Sequence, residues 1–183
     1  LKKIEALKSV PEFKKLQMQY AAFSFGVPFD ASFNADERNA SMNILYLYQG
    51  GLTLGQKEYY LDTDKATVDI REAYKKHLIK MFQLFGFNAA QAKAKGEAVL
   101  RFETALAKFS KSSTELRDVE ANYNKMTLAQ FKAKYPNLPV EALLNAEGVK
   151  SAYFQSLVVG QPAFFAGLNK LVTTWNLADR KAY

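Results

Sequence analysis

Val99, Phe102, Leu106 and Phe109 recur at spacings of three, four and three, which on a helix places them in one apolar stripe that must be buried. The spacing predicts a helix reaching back to about Ala89. The connector beyond it carries a start signal for the next helix. In Met126-Thr127-Leu128-Ala129-Gln130-Phe131, Thr127 is placed to cap while Gln130, three residues on, reaches back to close a capping box, with Met126 and Phe131 as the flanking staple. A threonine cap contributes ~1 kcal/mol, so this boundary is specified before any tertiary contact forms.

Other elements follow from similar signals. Leu1 to about Tyr20 reads as two short helices broken at Val10-Pro11, the second burying Phe13, Leu16 and Tyr20. Phe23, Phe25, Val27 and Phe29 alternate with smaller residues, and Met42, Ile44, Tyr46 and Tyr48 form a second alternating run after the polar Asn34 to Asn39 stretch. That is a long β-hairpin signal, without a tight two-residue turn and with Pro28 marking an edge position or a bulge. Ile70, Tyr74, Leu78, Met81 and Phe85 predict a helix from about Lys65 that Gly86 stops. Asn88 with Gln91 opens the next helix, and so short a turn makes the two long helices antiparallel neighbours. Tyr135 to Pro139 is a rigid break, Val140 to Asn145 a short helix, and Phe154 to Val159 a strand or a helix. Pro162 starts a last helix carrying Phe164, Phe165, Leu168, Leu171, Val172 and Trp175. The fold class is mainly α: one helical domain with antiparallel long helices and a β-hairpin.

A chain of 183 residues with 49% hydrophobic and 14% aromatic residues can bury a full core. No apolar run approaches the ~20 residues of a membrane span, so none is expected. The absence of cysteine excludes disulfides and thiolate metal sites. Net charge is +7, yet the 18 acidic residues are interspersed among the 25 basic ones, which points to a solvated lysine-rich surface and not to a nucleic-acid partner. The chain starts with Leu1 on a helical face shared by Ile4 and Leu7, and Asp179 to Tyr183 carries no cap or turn signal. Both ends therefore read as cuts within a longer protein.

Catalytic chemistry finds little support. His77 is the only histidine, whereas a catalytic zinc typically takes three protein ligands, and a serine triad would need that same histidine beside a Gly-x-Ser-x-Gly elbow that does not occur. Gly50 and Gly55 have the separation of a phosphate loop, but Gln56-Lys57-Glu58 follows and no helix is expected to open there. No catalytic or metal-binding residue is assigned. The residues alone define a helical domain whose alternative role is a free-standing protein- or peptide-binding module.

Several runs carry more than composition does. Phe102-Glu103-Thr104-Ala105-Leu106-Ala107, Arg117-Asp118 and Tyr123-Asn124-Lys125-Met126-Thr127-Leu128, together with Gly50-Gly51-Leu52 through Glu58-Tyr59-Tyr60-Leu61 and Leu157 through Pro162 to Phe165, resemble the N-terminal, non-catalytic helical lobe of neprilysin-like zinc endopeptidases. That group includes endothelin-converting enzyme and bacterial PepO. Thr53, Gly55, Gln56, Lys57 and Glu58 depart from the family's loop signature. The resemblance marks Gly51, Leu52, Tyr59, Tyr60, Arg117, Asp118, Tyr123, Asn124, Lys125, Met126 and Pro162 as signature positions of structural character. It implies a cap lobe, zinc held by a separate lobe of the parent and none here, the catalytic lobe and a peptide substrate as partners, and weak self-association of the separated piece. With no cysteine, it also implies a bacterial source in the cell envelope, periplasmic or secreted.

Overall fold

The computed structural model describes residues 1–20 and 27–183. Phe23 and Phe25 lie outside them. Two short helices open the chain, α1 (Lys2–Glu5) and α2 (Val10–Gln19). Ser9 caps α2 by accepting the Glu12 amide at 3.3 Å, with Pro11 in the first turn. Phe13 and Leu16 are buried, while Tyr20 is half-buried.

The hairpin differs from its expected form. Strand β1 (Phe29–Asp36) starts at Phe29, after Pro28, and continues through the polar Asn34 to Asp36; strand β2 (Asn39–Gln49) follows after only Glu37 and Arg38. The turn is thus a two-residue one, with the Asp36 carboxylate accepting the Arg38 amide at 3.0 Å. The register shifts beside it, Ala35 facing Asn43 whereas Asp36 faces Asn39. The polar end of β1 carries no strand signal because β1 is an edge strand, whose exposed positions need no apolar side chains. Pro28, ahead of the strand, removes no ladder bond.

A short β3 (Lys125–Thr127) and β4 (Ser156–Val159) complete a sheet of order β1-β2-β4-β3, with β2 and β4 parallel and the other pairs antiparallel. Phe154, by contrast, belongs to a 3-10 turn. Residues 44–47 of β2 are buried on both faces. Leu45 and Leu47 enter the main core with Leu157 and Val159, while Ile44 and Tyr46 pack with Val158 on the other side. Met42, counted in the apolar run, is exposed.

A single helical turn, α3 (Glu58–Leu61), does open after the glycine loop, contrary to the sequence reading. Helices α4 (Lys65–Leu84) and α5 (Ala89–Ala107) follow. Asp64 caps α4, and Gly86, at φ +95°, ends it. Asn88 and Gln91 form the capping box of α5. The pair meets at Lys75–Glu97, where the ions are 3.3 Å apart, at Ile79 against Gly96, and at Phe82 under the Lys95 ammonium. One helix therefore ascends as the other descends.

Within α5, Val99, Phe102 and Leu106 are buried as expected; Phe109 lies past the helix end, partly exposed. On α4 only Tyr74 is buried, and Ile70, Met81 and Phe85 remain exposed. The stripe is real, but nothing among the described residues covers its outer half.

Beyond Thr127 come α6 (Leu128–Lys134), α7 (Val140–Ala146), α8 (Pro162–Thr174) and α9 (Leu177–Ala182). The last corrects the reading of the C-terminal residues: Asn176 caps α9 by accepting the Asp179 amide at 2.9 Å. Main-core aromatics include Phe131, Tyr135, Phe154, Phe164 and Phe165. Trp175 stacks on Phe102 with ring centroids 3.8 Å apart and lies under the Arg180 guanidinium.

Thr127 accepts the Gln130 amide at 3.1 Å, and the Gln130 side chain accepts the Thr127 amide at 2.8 Å. Thr127→Ala is expected to cost roughly 0.5–2 kcal/mol without preventing folding. An unchanged urea midpoint would contradict this.

Candidate functional site

The signature positions gather around two sets of hydrogen bonds, which the Lys57–Glu115 ion pair at 3.2 Å connects. The first surrounds Glu103. Its side chain lies on the apolar face of α5 between Val99 and Leu106, only 1% exposed. Oε1 accepts from the Thr53 hydroxyl at 2.7 Å and the Tyr74 hydroxyl at 3.1 Å, and Oε2 accepts from the Tyr60 hydroxyl at 2.8 Å. One carboxylate therefore joins the glycine loop, α3 and α4 to α5.

The loop's shape follows from its glycines. Gly51 has φ +75°, and a Cβ there would meet the Tyr183 hydroxyl and Pro28. That hydroxyl donates to the Gly51 carbonyl at 3.0 Å. Leu52 packs between two core clusters, and the Leu54 amide donates to the Tyr60 hydroxyl at 2.9 Å. The carbonyl of Tyr59 accepts from Arg71. Burial raises the Glu103 carboxyl above its ordinary range against the pull of the Thr53, Tyr60 and Tyr74 hydroxyls, and burial likewise raises the Tyr60 and Tyr74 phenols.

The second network centres on Asp36 and Asn122. Asp36, 2% exposed, accepts from the Tyr123 hydroxyl at 2.7 Å and pairs with the Lys125 ammonium at 2.6 Å. Asn122 donates to the carbonyls of Glu115, Leu116 and Asp118 and accepts from Lys111 and Gln161. Gln161 in turn accepts the Gln49 amide at 2.8 Å. Asn124 holds the Ala121 carbonyl, and its own carbonyl accepts the Val159 amide. Met126 faces Leu157 across the sheet, and Pro162 begins α8 with its carbonyl accepting from Tyr135. Arg117 and Asp118 are exposed, Asp118 accepting the Ala121 amide.

The Lys125 ammonium, then the Tyr123 hydroxyl and the Arg38 amide, hold the Asp36 carboxyl down at about 2. A folded-state value below the ordinary carboxylate value of about 4 stabilises the fold above pH 4, and that contribution is lost as pH falls from about 4 to about 2. Asp36→Asn should flatten this acid limb in urea midpoints measured between pH 6 and 2. An acid limb identical to wild type would refute the assignment.

Glu103, Thr53, Asn122 and Gln161 were given no site role by the sequence reading, which named Thr53 only as a departure from the family's loop signature. Glu103 carried a usable signal, a carboxylate at helical spacing inside an apolar stripe. The other three are polar loop or strand-end residues whose partners are distant in sequence.

Among the described residues no group of three His, Cys, Asp or Glu side chains is placed to hold a metal ion. The residues present do not fit a zinc site. His77 is exposed and lines a groove of about 530 Å³ with Leu52, Tyr74, Met81, Phe85 and Tyr183. The Thr53, Tyr60 and Tyr74 hydroxyls donate to Glu103. No helix among the described residues is long and apolar enough to cross a membrane.

The whole chain matches the model of a peptidase family. The chain belongs to peptidase family M13, whose N-terminal part it matches over residues 1–183. It is 33% identical over 125 residues, 67% of this chain and 16% of the relative, to endothelin-converting enzyme-like 1 of Rattus norvegicus. To neutral endopeptidase of Lactobacillus helveticus it is 24% identical across 100% of this chain and 28% of that protein. Among solved structures, Mycobacterium tuberculosis zinc metalloprotease Zmp1 in complex with inhibitor aligns with a TM-score of 0.86 at 21% identity, covering 99% of this chain and 27% of that one. PepO from Lactobacillus rhamnosis aligns with a TM-score of 0.77 at 21% identity, covering 98% and 28%. The chain thus spans between a sixth and somewhat over a quarter of the length of these proteins.

Proposed function

We propose that residues 1–183 form one domain, part of the cap lobe of a neprilysin-like zinc metalloendopeptidase, closing over a separate catalytic lobe and restricting which peptides reach it. The observation that carries the reading is the match of the whole chain to the N-terminal part of family M13 while relatives such as Zmp1 extend far beyond it. The parent's zinc and general base then belong to the other lobe. This fragment alone is inactive.

In this reading the antiparallel α4–α5 pair and the sheet are a rigid frame, and the signature residues are its fasteners. Gly51, Leu52, Tyr59 and Tyr60 fix the glycine loop, Tyr123, Asn124, Lys125 and Met126 fix the β3 edge, and Pro162 sets the start of α8. Arg117 and Asp118 shape the connector. The exposed apolar face of α4, with Ile70, Met81, Leu84 and Phe85, supports a role inside a larger protein, and supports weak self-association when the piece is separated. Bacterial relatives exist, and the setting read for the parent is the bacterial cell envelope, periplasmic or secreted, with the cytoplasm as the alternative.

The role is tested by assaying the parent on peptides of rising length and on a folded protein containing the same cleavage sequence. The expected result is a steep loss of kcat/KM with size and no cleavage of the folded substrate. Equal cleavage of short peptide and folded protein would overturn the cap role.

A further inference from the structure

Strand β1 is an edge of the sheet that no strand among the described residues covers. Among the described residues, no backbone group of Phe29–Asp36 bonds to backbone outside β2, and β1 carries neither lysine nor proline, which commonly guard such edges. Beside it lies a groove of about 250 Å³ whose wall includes Phe33, Leu45, Leu144 and Val149, with Glu147 among the lining residues. Phe33, directly across from the buried Leu45, is 40% exposed. Its ring is therefore available to a side chain arriving on the groove face of the sheet.

The alternate face of β1 has another chemistry. Asp30, Ser32 and Asn34 alternate with the groove-facing residues; Asp30 is exposed as a residue and borders the groove, while its carboxyl lies beside Gly50, where partial burial raises it. Neither Asp30 nor Glu147 takes part in any ion pair among the described residues, and no Lys or Arg lines the groove. In a chain of net charge +7, this edge is locally acidic. A second copy pairing through β1 would bring like carboxylates together, which disfavours that pairing. A strand alternating apolar and basic residues complements both faces at once.

We propose that the β1 edge takes an extended peptide as a fifth strand, with apolar side chains in the groove against Phe33, Leu144 and Val149 and basic side chains on the opposite face beside Asp30. Main-chain bonds supply the affinity and the alternating side chains the selectivity, as in other strand-addition sites. The proposal stands on the edge geometry, and it rests on the peptidase reading only in taking the parent's peptide substrate as the natural occupant.

The test is fluorescence anisotropy of the chain with labelled Val-Lys-Val-Lys-Val-Lys, blocked at both ends, and with its Val-Glu counterpart. The lysine peptide should bind at least tenfold more tightly. N-methylation of one alternate set of amides, the valine set or the lysine set, should weaken binding at least tenfold while the other set is tolerated, because alternate N–H groups point to one edge. Phe33→Asp should weaken binding of the lysine peptide by a similar factor, and Asp30→Lys should reverse the charge preference; both positions are exposed, and unchanged thermal melts confirm folding. No binding at 1 mM peptide, insensitivity to both methylation patterns, or dimerisation of the chain that Phe33→Asp abolishes would overturn the proposal. A parent that cleaves peptides while the chain fails these tests refutes the edge site alone. A chain that passes beside a parent that cleaves nothing refutes the peptidase reading instead.

Discussion

Replacing Glu103 with alanine is expected to lower stability by roughly 2–4 kcal/mol, since the buried Tyr60 and Tyr74 hydroxyls lose their acceptor and a cavity replaces the carboxylate. The Thr53 hydroxyl, at an exposed residue, can turn to water instead. Glu103→Gln keeps the shape and should cost less. The two variants also separate shape from charge. Because burial raises the Glu103 carboxyl, its contribution to stability is fully present below the ordinary glutamate value and is lost as pH rises through the raised one. The glutamine variant should lack this loss in urea midpoints followed upward from the ordinary glutamate range. A glutamine profile that falls as steeply as wild type would show that Glu103 is not the group responsible.

The second large effect is expected at Gly167, in the middle of α8. A Cβ there would fall well inside van der Waals contact with the Phe109 ring, so Gly167→Ala must push out either that ring or the helix. Overpacking of this kind costs about 1–3 kcal/mol. Since Phe109 is the obstacle, Phe109→Ala combined with Gly167→Ala should destabilise by less than the sum of the single changes. Strict additivity in denaturation midpoints would mean that the clash lies elsewhere.

The capping boxes at Asn88 and Thr127 and the stop at Gly86 are written within four residues each, so they were legible and lie where expected. The β4 strand was half legible, because its residues match either a strand or a buried helix until Leu45 and Leu47 are known to sit opposite them. Helix α9 was missed because its cap is Asn176, just outside the stretch read as an uncapped end. The hairpin turn was misplaced because the edge strand β1 carries polar residues that mimic a loop. Polar partners such as Asn122 with Gln161 or Thr53 with Glu103 are 39 and 50 residues apart, and no local pattern reports such pairs. The family, in contrast, was legible in the short runs that resemble it, and the whole chain matches that family's model.

The most direct test of the central claim measures bound zinc and cleavage of a quenched fluorescent peptide for the chain and for its parent side by side. The account predicts near-stoichiometric zinc and chelator-sensitive cleavage in the parent, and neither in residues 1–183 even with zinc added. Stoichiometric zinc and chelator-sensitive cleavage by residues 1–183 alone, lost on His77→Ala, would contradict it.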